Sequence, residues 1–369
     1  MTARSVAARP ARLVMRRYVH IRTRAWPDTS RLFAVGERTS WSVDEDARHL
    51  EATARRLGYA VGRSGWAAYA RSQSVFLTSH FEALQRRWLE SSHALATAYL
   101  HGRPSTPGYP EFDRAYETLS ASPERFAAVQ VTHGEMRDLV LGAGVEASTV
   151  HVIPIGVDLE HFPVADATRR AAARSAFDLP AAAFVVGSFQ KDGVGWGEGL
   201  EPKLVKGPDV LVASLARAHR DVPELHVLLT GPARGYVRRE LERLGIPYRH
   251  VVAGSRADLG RAYHAVDVCL VASRQEGGPK AVLESMASGI PLVTTRVGQA
   301  ADLVEHGRTG WLVDVEDSEA LARWVIAIHG REAPEVVEEA RSTAERYALQ
   351  SLDPMWDDLL ATFVERPTS

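Results

Sequence analysis

Two glutamates, Glu276 and Glu284, are the strongest candidates for chemistry in this chain of 369 residues. They are separated by seven residues that begin Gly277, Gly278, Pro279 and Lys280. Paired glycines ahead of a proline are poor regular structure. Pro279 as a first helical residue, and Gly289-Ile290-Pro291 further on, predict a helix over about 279–288. The start of such a helix is expected to present the N–H groups of Gly277, Gly278 and Lys280, with the positive end of the dipole behind them, to an anion. A carboxylate at Glu276 beside that anion is unfavourable unless a polyhydroxylated group lies between the two. A sugar phosphate meets both demands. Val282, Leu283, Met286 and Ala287 form the apolar stripe of the helix, so Glu284 is expected on the opposite face, pointing away from the core.

The elements that must position these residues are readable around them. Val266 to Ala272 is an apolar, β-branched run that predicts a buried strand ending at Ser273, with Cys269 inside it as a small hydrophobe. Strands and helices alternate from about 183 to 313, which predicts a parallel, doubly wound sheet. Its ligand belongs at the C-terminal strand ends, where Gly187, Gly231, Gly254 and Glu276 are expected. Between the first two strands runs Ser188 to Pro208, with five glycines and three lysines. A loop this long in a compact domain is usually functional. Of 44 basic residues only Lys191, Lys203, Lys206 and Lys280 are lysine, all in this loop or at the helix start. A compact ammonium suits a phosphate oxygen.

The setting S-R-x-E-G-G-P-x-x-x-L-E-x-M-A-x-G-x-P resembles the signature of retaining glycosyltransferases of the GT4 family (glycosyl transferases group 1), which have the GT-B fold. The resemblance implies two Rossmann-like doubly wound domains facing across a cleft, with a C-terminal helix crossing back to the N-terminal domain. It implies a nucleotide-diphosphate sugar as donor, UDP-, GDP- or another base, a hydroxyl acceptor, and no cofactor or metal. By position, Glu276 would approach the donor sugar and Glu284 the ribose hydroxyls. Gly277, Gly278, Pro279 and Lys280 would hold the sugar and diphosphate. Lys206, in a Lys-Gly pair, would meet the diphosphate. Where the family has an arginine this chain has Gln190-Lys191, so Lys191 or Lys203 is the second cation. Gly254 and Ser255 would lie at the base, and His101 would face the sugar. The block Ile153-Pro154-Ile155-Gly156-Val157-Asp158 resembles the interdomain linker.

The N-terminal half resembles the family only in architecture. Strands are expected at Leu32 to Val35, Ser74 to Thr78, Leu95 to Leu100 and Ala127 to Thr132, with His80 and His101 after the second and third. Ser42 and Glu45 form a capping box opening a helix to about Leu57, and Asp44, Glu45 and Asp46 are first-turn acids rather than a metal motif. The Pro- and Gly-rich residues 102–124 are expected to be a loop shaping the acceptor pocket. Asp353 to Val364, with Trp356, Leu359, Leu360 and Phe363 on one face, resembles the last helix of the family, which crosses back to the N-terminal domain. The expected divisions are a basic arm over 1–25, an acceptor domain over 26–157, a nucleotide-sugar domain over 158–348 and the crossover over 349–369.

Composition narrows the classes. A formal charge of -2 argues against a general polyanion or nucleic-acid binder, and no run of about 18 apolar residues exists to span a bilayer. A single cysteine excludes an internal disulfide. The expectation is a cytoplasmic enzyme, with its Arg-rich arm available for peripheral contact with anionic lipid. Rival readings are a non-catalytic binder of sugar nucleotides or polyanions, and a GT-B-like epimerase or phosphorylase.

Overall fold

The structure, a computed structural model, describes residues 31–37, 42–62, 67, 72–331 and 333–366. The basic arm over 1–25 and the side chain of the expected cap Ser42 lie outside the described residues. The chain divides into two compact units. One runs to Ile153 and is completed by residues from Leu352 onward; the other is Pro154–Ser351.

The first unit holds five parallel strands in sequential order, β1 (Leu32–Val35), β2 (Ser74–Leu77), β3 (Ala94–Ala98), β4 (Phe126–Val131) and β5 (Val150–Val152). Every residue of β2 is buried, as parallel strands covered on both faces must be. The helix Ser42–Arg56 ends just before Gly58, whose φ of 86° turns the chain. The helix Asp353–Ala361 packs back onto this unit and completes its core. Leu359 and Leu360 are fully buried among Leu32, Leu50 and Phe76, Trp356 stands edge-on to Phe76 at 5.7 Å, and Asp353 receives Arg56 through both carboxylate oxygens at 2.5 and 2.8 Å.

One expectation fails here. The segment 102–124 is not a loop throughout, because a helix occupies Pro110–Ala121. Pro110 suits a first turn, Glu111 and Asp113 complement the dipole, and Phe112, Ala115 and Leu119 form a buried stripe at helical spacing.

The second unit holds six parallel strands: β6 (Phe184–Phe189), β7 (Leu225–Thr230), β8 (Tyr248–Val251), β9 (Val268–Val271), β10 (Leu292–Thr295) and β11 (Trp311–Val313). Their order is β11-β10-β9-β6-β7-β8, the doubly wound arrangement whose direction reverses between β6 and β9. Gly187 is not at a strand end as expected. It sits inside β6 opposite Cys269 and Leu228, because the strand continues through Ser188 to Phe189. Cys269 is fully buried in β9, and burial pushes its thiol up to about 12.

Candidate active site

Strands β6 and β9 pair through Val186 with Val268 and Gly187 with Cys269, so the loops leaving the two strands meet at the switch point. Beyond β6 come Gln190 and Lys191; beyond β9 come Ser273 and Glu276. A third segment is brought in by Gly207, whose φ is 60° and where a Cβ would collide with the carbonyl oxygen of Ala272. Only glycine lets the short helical turn Leu204–Lys206 lie against the end of β9 before the helix Pro208–Asp221 begins.

The three segments are locked together. Lys206 Nζ donates to Glu276 Oε2 at 2.5 Å, and Ser273 Oγ lies 2.8 Å from Glu276 Oε1 and 3.3 Å from Gln190 Oε1. Gln190 Nε2 donates to the Lys206 carbonyl at 3.0 Å. Arg274 grips Asp209 with two bonds of 2.7 Å, donates to Glu316 at 2.7 Å and to the Leu204 carbonyl at 2.8 Å. Such a planar fork fixes both loops. Lys191 completes the charge set. Burial lowers its pKa, and the nearby Lys206 ammonium lowers it further, while its Nζ stands 4.6 Å from the centre of the Trp196 ring. Lys206 is paired with Glu276, whereas Lys191 faces an aromatic ring that leaves its charge in place, and that positive charge favours an anion.

The helix spans Lys280–Ala287, with Pro279 as its N-cap at ψ 104°, one residue later than expected. Gln299 holds the approach to it, accepting from Ile155 N at 2.8 Å and donating to Ile155 O at 3.1 Å, while its own N–H donates to Gly277 O at 2.8 Å. Glu284 does not point away from the core: it is 3% exposed. Every residue from Ala281 to Ala287 is buried, because the helix is covered by β9 and β10, by the helix Pro334–Arg346 and by the helix Arg256–His264. A buried carboxylate needs partners. Tyr263 Oη donates to Glu284 Oε2 at 2.9 Å, and Arg256 Nη2 stands 2.8 Å from Oε1, an ion pair without full hydrogen-bond alignment. The Arg256 guanidinium also lies 4.7 Å from the centre of the Phe162 ring. Burial, then the Glu284 charge, pushes the Tyr263 phenol well above its ordinary value.

Gly254 and Ser255 follow β8 on the exposed surface, and the Ser255 hydroxyl accepts from Asp258 N at 3.1 Å, capping the helix Arg256–His264. His101 belongs to the first unit, three residues beyond β3. Its ring stands 5.8 Å from His80 and 5.9 Å from both Phe81 and Phe112. His80 is fully enclosed, stacked on Tyr99 at 4.0 Å, and burial, then the neighbouring His101, holds its pKa well below 6.5. Among the described residues no cluster of three or more His, Cys, Asp or Glu could hold a metal ion, and no helix is long and apolar enough to cross a membrane.

The structure thus brings Glu276 and Lys206 into contact, sets Lys191 beside Lys206, and ties Glu284 to Arg256 and Tyr263. Sequence reasoning missed Ser273, Arg274, Asp209, Arg256 and Tyr263. Arg256 carried a signal: a cation in the first turn of a helix opposes the dipole and calls for a carboxylate partner.

Residues 197–330 match the family model described as glycosyl transferases group 1. A D-inositol 3-phosphate glycosyltransferase of Xylanimonas cellulosilytica is 33% identical over 254 residues, 65% of this chain and 56% of that protein. One of Corynebacterium urealyticum is 30% identical over 250 residues, 64% and 56% respectively. The chain spans just over half the length of these relatives. Anabaena Alr3699/HepE in complex with UDP-glucose superposes with a TM-score of 0.72 at 19% identity, covering 90% of this chain and 100% of that one. Sucrose-phosphate synthase from Thermosynechococcus elongatus gives 0.64 at 18%, covering 86% and 77%. Two parallel-sheet units, the strand order of the second and the likeness to solved structures lead to one assignment: the chain has the GT-B fold, and within its second unit residues 197–330 match the glycosyl transferases group 1 model.

Proposed function

We propose that the chain transfers a sugar from a nucleotide-diphosphate donor to an acceptor hydroxyl with retention at the anomeric carbon. The observation that carries this reading is the Lys206–Glu276 pair at the switch point, with Lys191 beside it and the start of the helix Lys280–Ala287 next in the chain. In the proposed reaction the donor diphosphate takes the place of Glu276 as partner of Lys206, and Glu276 turns to the sugar hydroxyls. The bond from the anomeric carbon to the β-phosphate oxygen breaks, and the acceptor oxygen bonds to the same face. Its proton passes to the departing phosphate. In this reading the barrier falls chiefly because the ammonium groups and the amide N–H groups at the helix start stabilise the charge that develops on the diphosphate. Those groups supply the electrostatics a metal would otherwise give, so transfer should survive a chelator. Glu284 receives the ribose in this scheme.

The acceptor is proposed more coarsely, as a saccharide, lipid-linked saccharide or small polyol. Inositol phosphate is the first to test, because the relatives in the sequence comparison are named for it. Incubating the protein with nucleotide sugars and acceptors, and following release of the nucleoside diphosphate and the anomeric configuration of the product by NMR, tests the reading. Nucleotide binding with no transfer to any acceptor class would favour the non-catalytic alternative.

A further inference from the structure

Among the exposed apolar side chains of the second unit, Trp196 is the largest, 57% exposed at the tip of the loop between β6 and β7. That tip is held at both ends. Asp192 and Arg234 are each fully buried and stand 3.0 Å apart, and Arg234 also donates to Ser188 O at 2.7 Å, Ser188 Oγ at 3.0 Å and Thr230 O at 2.9 Å. The residue after Lys191 is therefore fastened to the ends of β6 and β7. The far side is fastened as well. Val194 N donates to Glu201 O at 2.9 Å, Lys203 N to Asp192 O at 2.8 Å, Gly235 N to Glu198 O at 2.7 Å and Tyr236 N to Gly199 O at 2.8 Å. A Cβ at Gly199 would collide with the Ala233 backbone, so the hairpin lies directly on the loop after β7. On this fixed frame the centre of the Trp196 ring sits 4.6 Å from the Lys191 ammonium, and Lys191 feels the charge of Lys206.

We propose that Trp196 is a positioning residue: its ring holds the Lys191 ammonium so that Lys191 and Lys206 together receive the donor diphosphate. The inference rests on the donor-site reading above and deepens it, naming Lys191 rather than Lys203 as the second cation and giving the reason it points where it does. A lysine has a flexible four-carbon stem, unlike the rigid guanidinium fork expected at this place, and needs an outside constraint to be pre-organised. An aromatic face supplies one without neutralising the charge, as a carboxylate would. The long glycine-rich loop then has a purpose, which is to carry that ring to the ammonium.

The test is a double-mutant cycle read by isothermal titration with UDP and GDP, taking whichever binds tighter, and with UMP or GMP as the control lacking a β-phosphate. Lys191→Ala and Trp196→Ala should each weaken diphosphate binding by about fivefold. The double variant should be no weaker than Lys191→Ala alone, Trp196→Phe should restore most of the loss, and the monophosphate should show little of the effect. Equal weakening by Trp196→Ala in the wild-type and Lys191→Ala backgrounds would overturn the inference, as would no weakening at all. A wild-type chain that binds neither nucleoside diphosphate would overturn the donor-site reading itself, which distinguishes the two failures.

Discussion

At the residue scale, the carboxylates of this site are already partnered by cations of the same chain. Glu276 holds Lys206, and Glu284 holds Arg256 and Tyr263, so the proposed function requires a donor to exchange partners with these groups. Arg256→Met leaves a carboxylate that is 3% exposed without its cation and should lower stability by about 2 kcal/mol, less than for a fully buried pair because Arg256 itself is 27% exposed. Urea unfolding measures this, and Arg256→Met with Glu284→Gln should recover much of the loss. Acid sensitivity has an identified source at His80. The unfolded chain takes up that proton near pH 6.5, whereas the enclosed ring does so only well below. Its contribution to stability is therefore complete above pH 6.5 and is lost as the pH falls below that value, by up to about 1.4 kcal/mol per pH unit. His93, His151 and His250, also pushed down by burial, share the slope. The urea midpoint should fall between pH 7.5 and 5.5, and His80→Gln should shrink that fall; an unchanged fall would assign it to the other histidines.

At the scale of elements, the site depends on backbone contacts that no side chain can replace. Gly207→Ala places a Cβ against the Ala272 carbonyl at a φ of 60°, and should cost about 3 kcal/mol while displacing Lys206 and abolishing transfer. Gly245→Ala is the control. Its φ is 68° but nothing lies within 4 Å, so only the left-handed penalty of about 1 kcal/mol should appear, with activity kept. Thermal melts and turnover of the two variants check this. The same elements show what was legible in advance. β6, β7 and β9 could be read from buried apolar runs and their turn residues, and the Gly277-Gly278 loop from its glycines, because local chemistry determines both. The orientation of Glu284 could not, since an amphipathic reading assumes that one helix face meets water, and Lys280–Ala287 is covered all round. The helix Pro110–Ala121 was hidden by the prolines and glycines just ahead of it, although Phe112, Ala115 and Leu119 had the spacing that reveals it. The Trp196 contact with Lys191 depends on a loop fold, which no periodicity encodes.

At the scale of the whole molecule, the last segment belongs to the first unit. Leu359 and Leu360 are fully buried against Leu32, Ala34 and Phe76, so the first sheet lacks a complete core until the final residues fold onto it. Ending the chain at Ser351 should remove cooperative unfolding of the first unit and expose apolar surface to a hydrophobic dye, whereas the second unit should retain nucleoside diphosphate affinity. The central claim concerns what Lys206 does when a donor arrives. Single-turnover transfer from the preferred nucleotide sugar, compared between wild type and Lys206→Ala, tests it most directly. The account predicts nucleoside diphosphate release by the wild type and a rate at least about 100-fold lower in the variant, with the fold intact. Equal rates in the two proteins, or no release by the wild type from any nucleotide sugar, would contradict it.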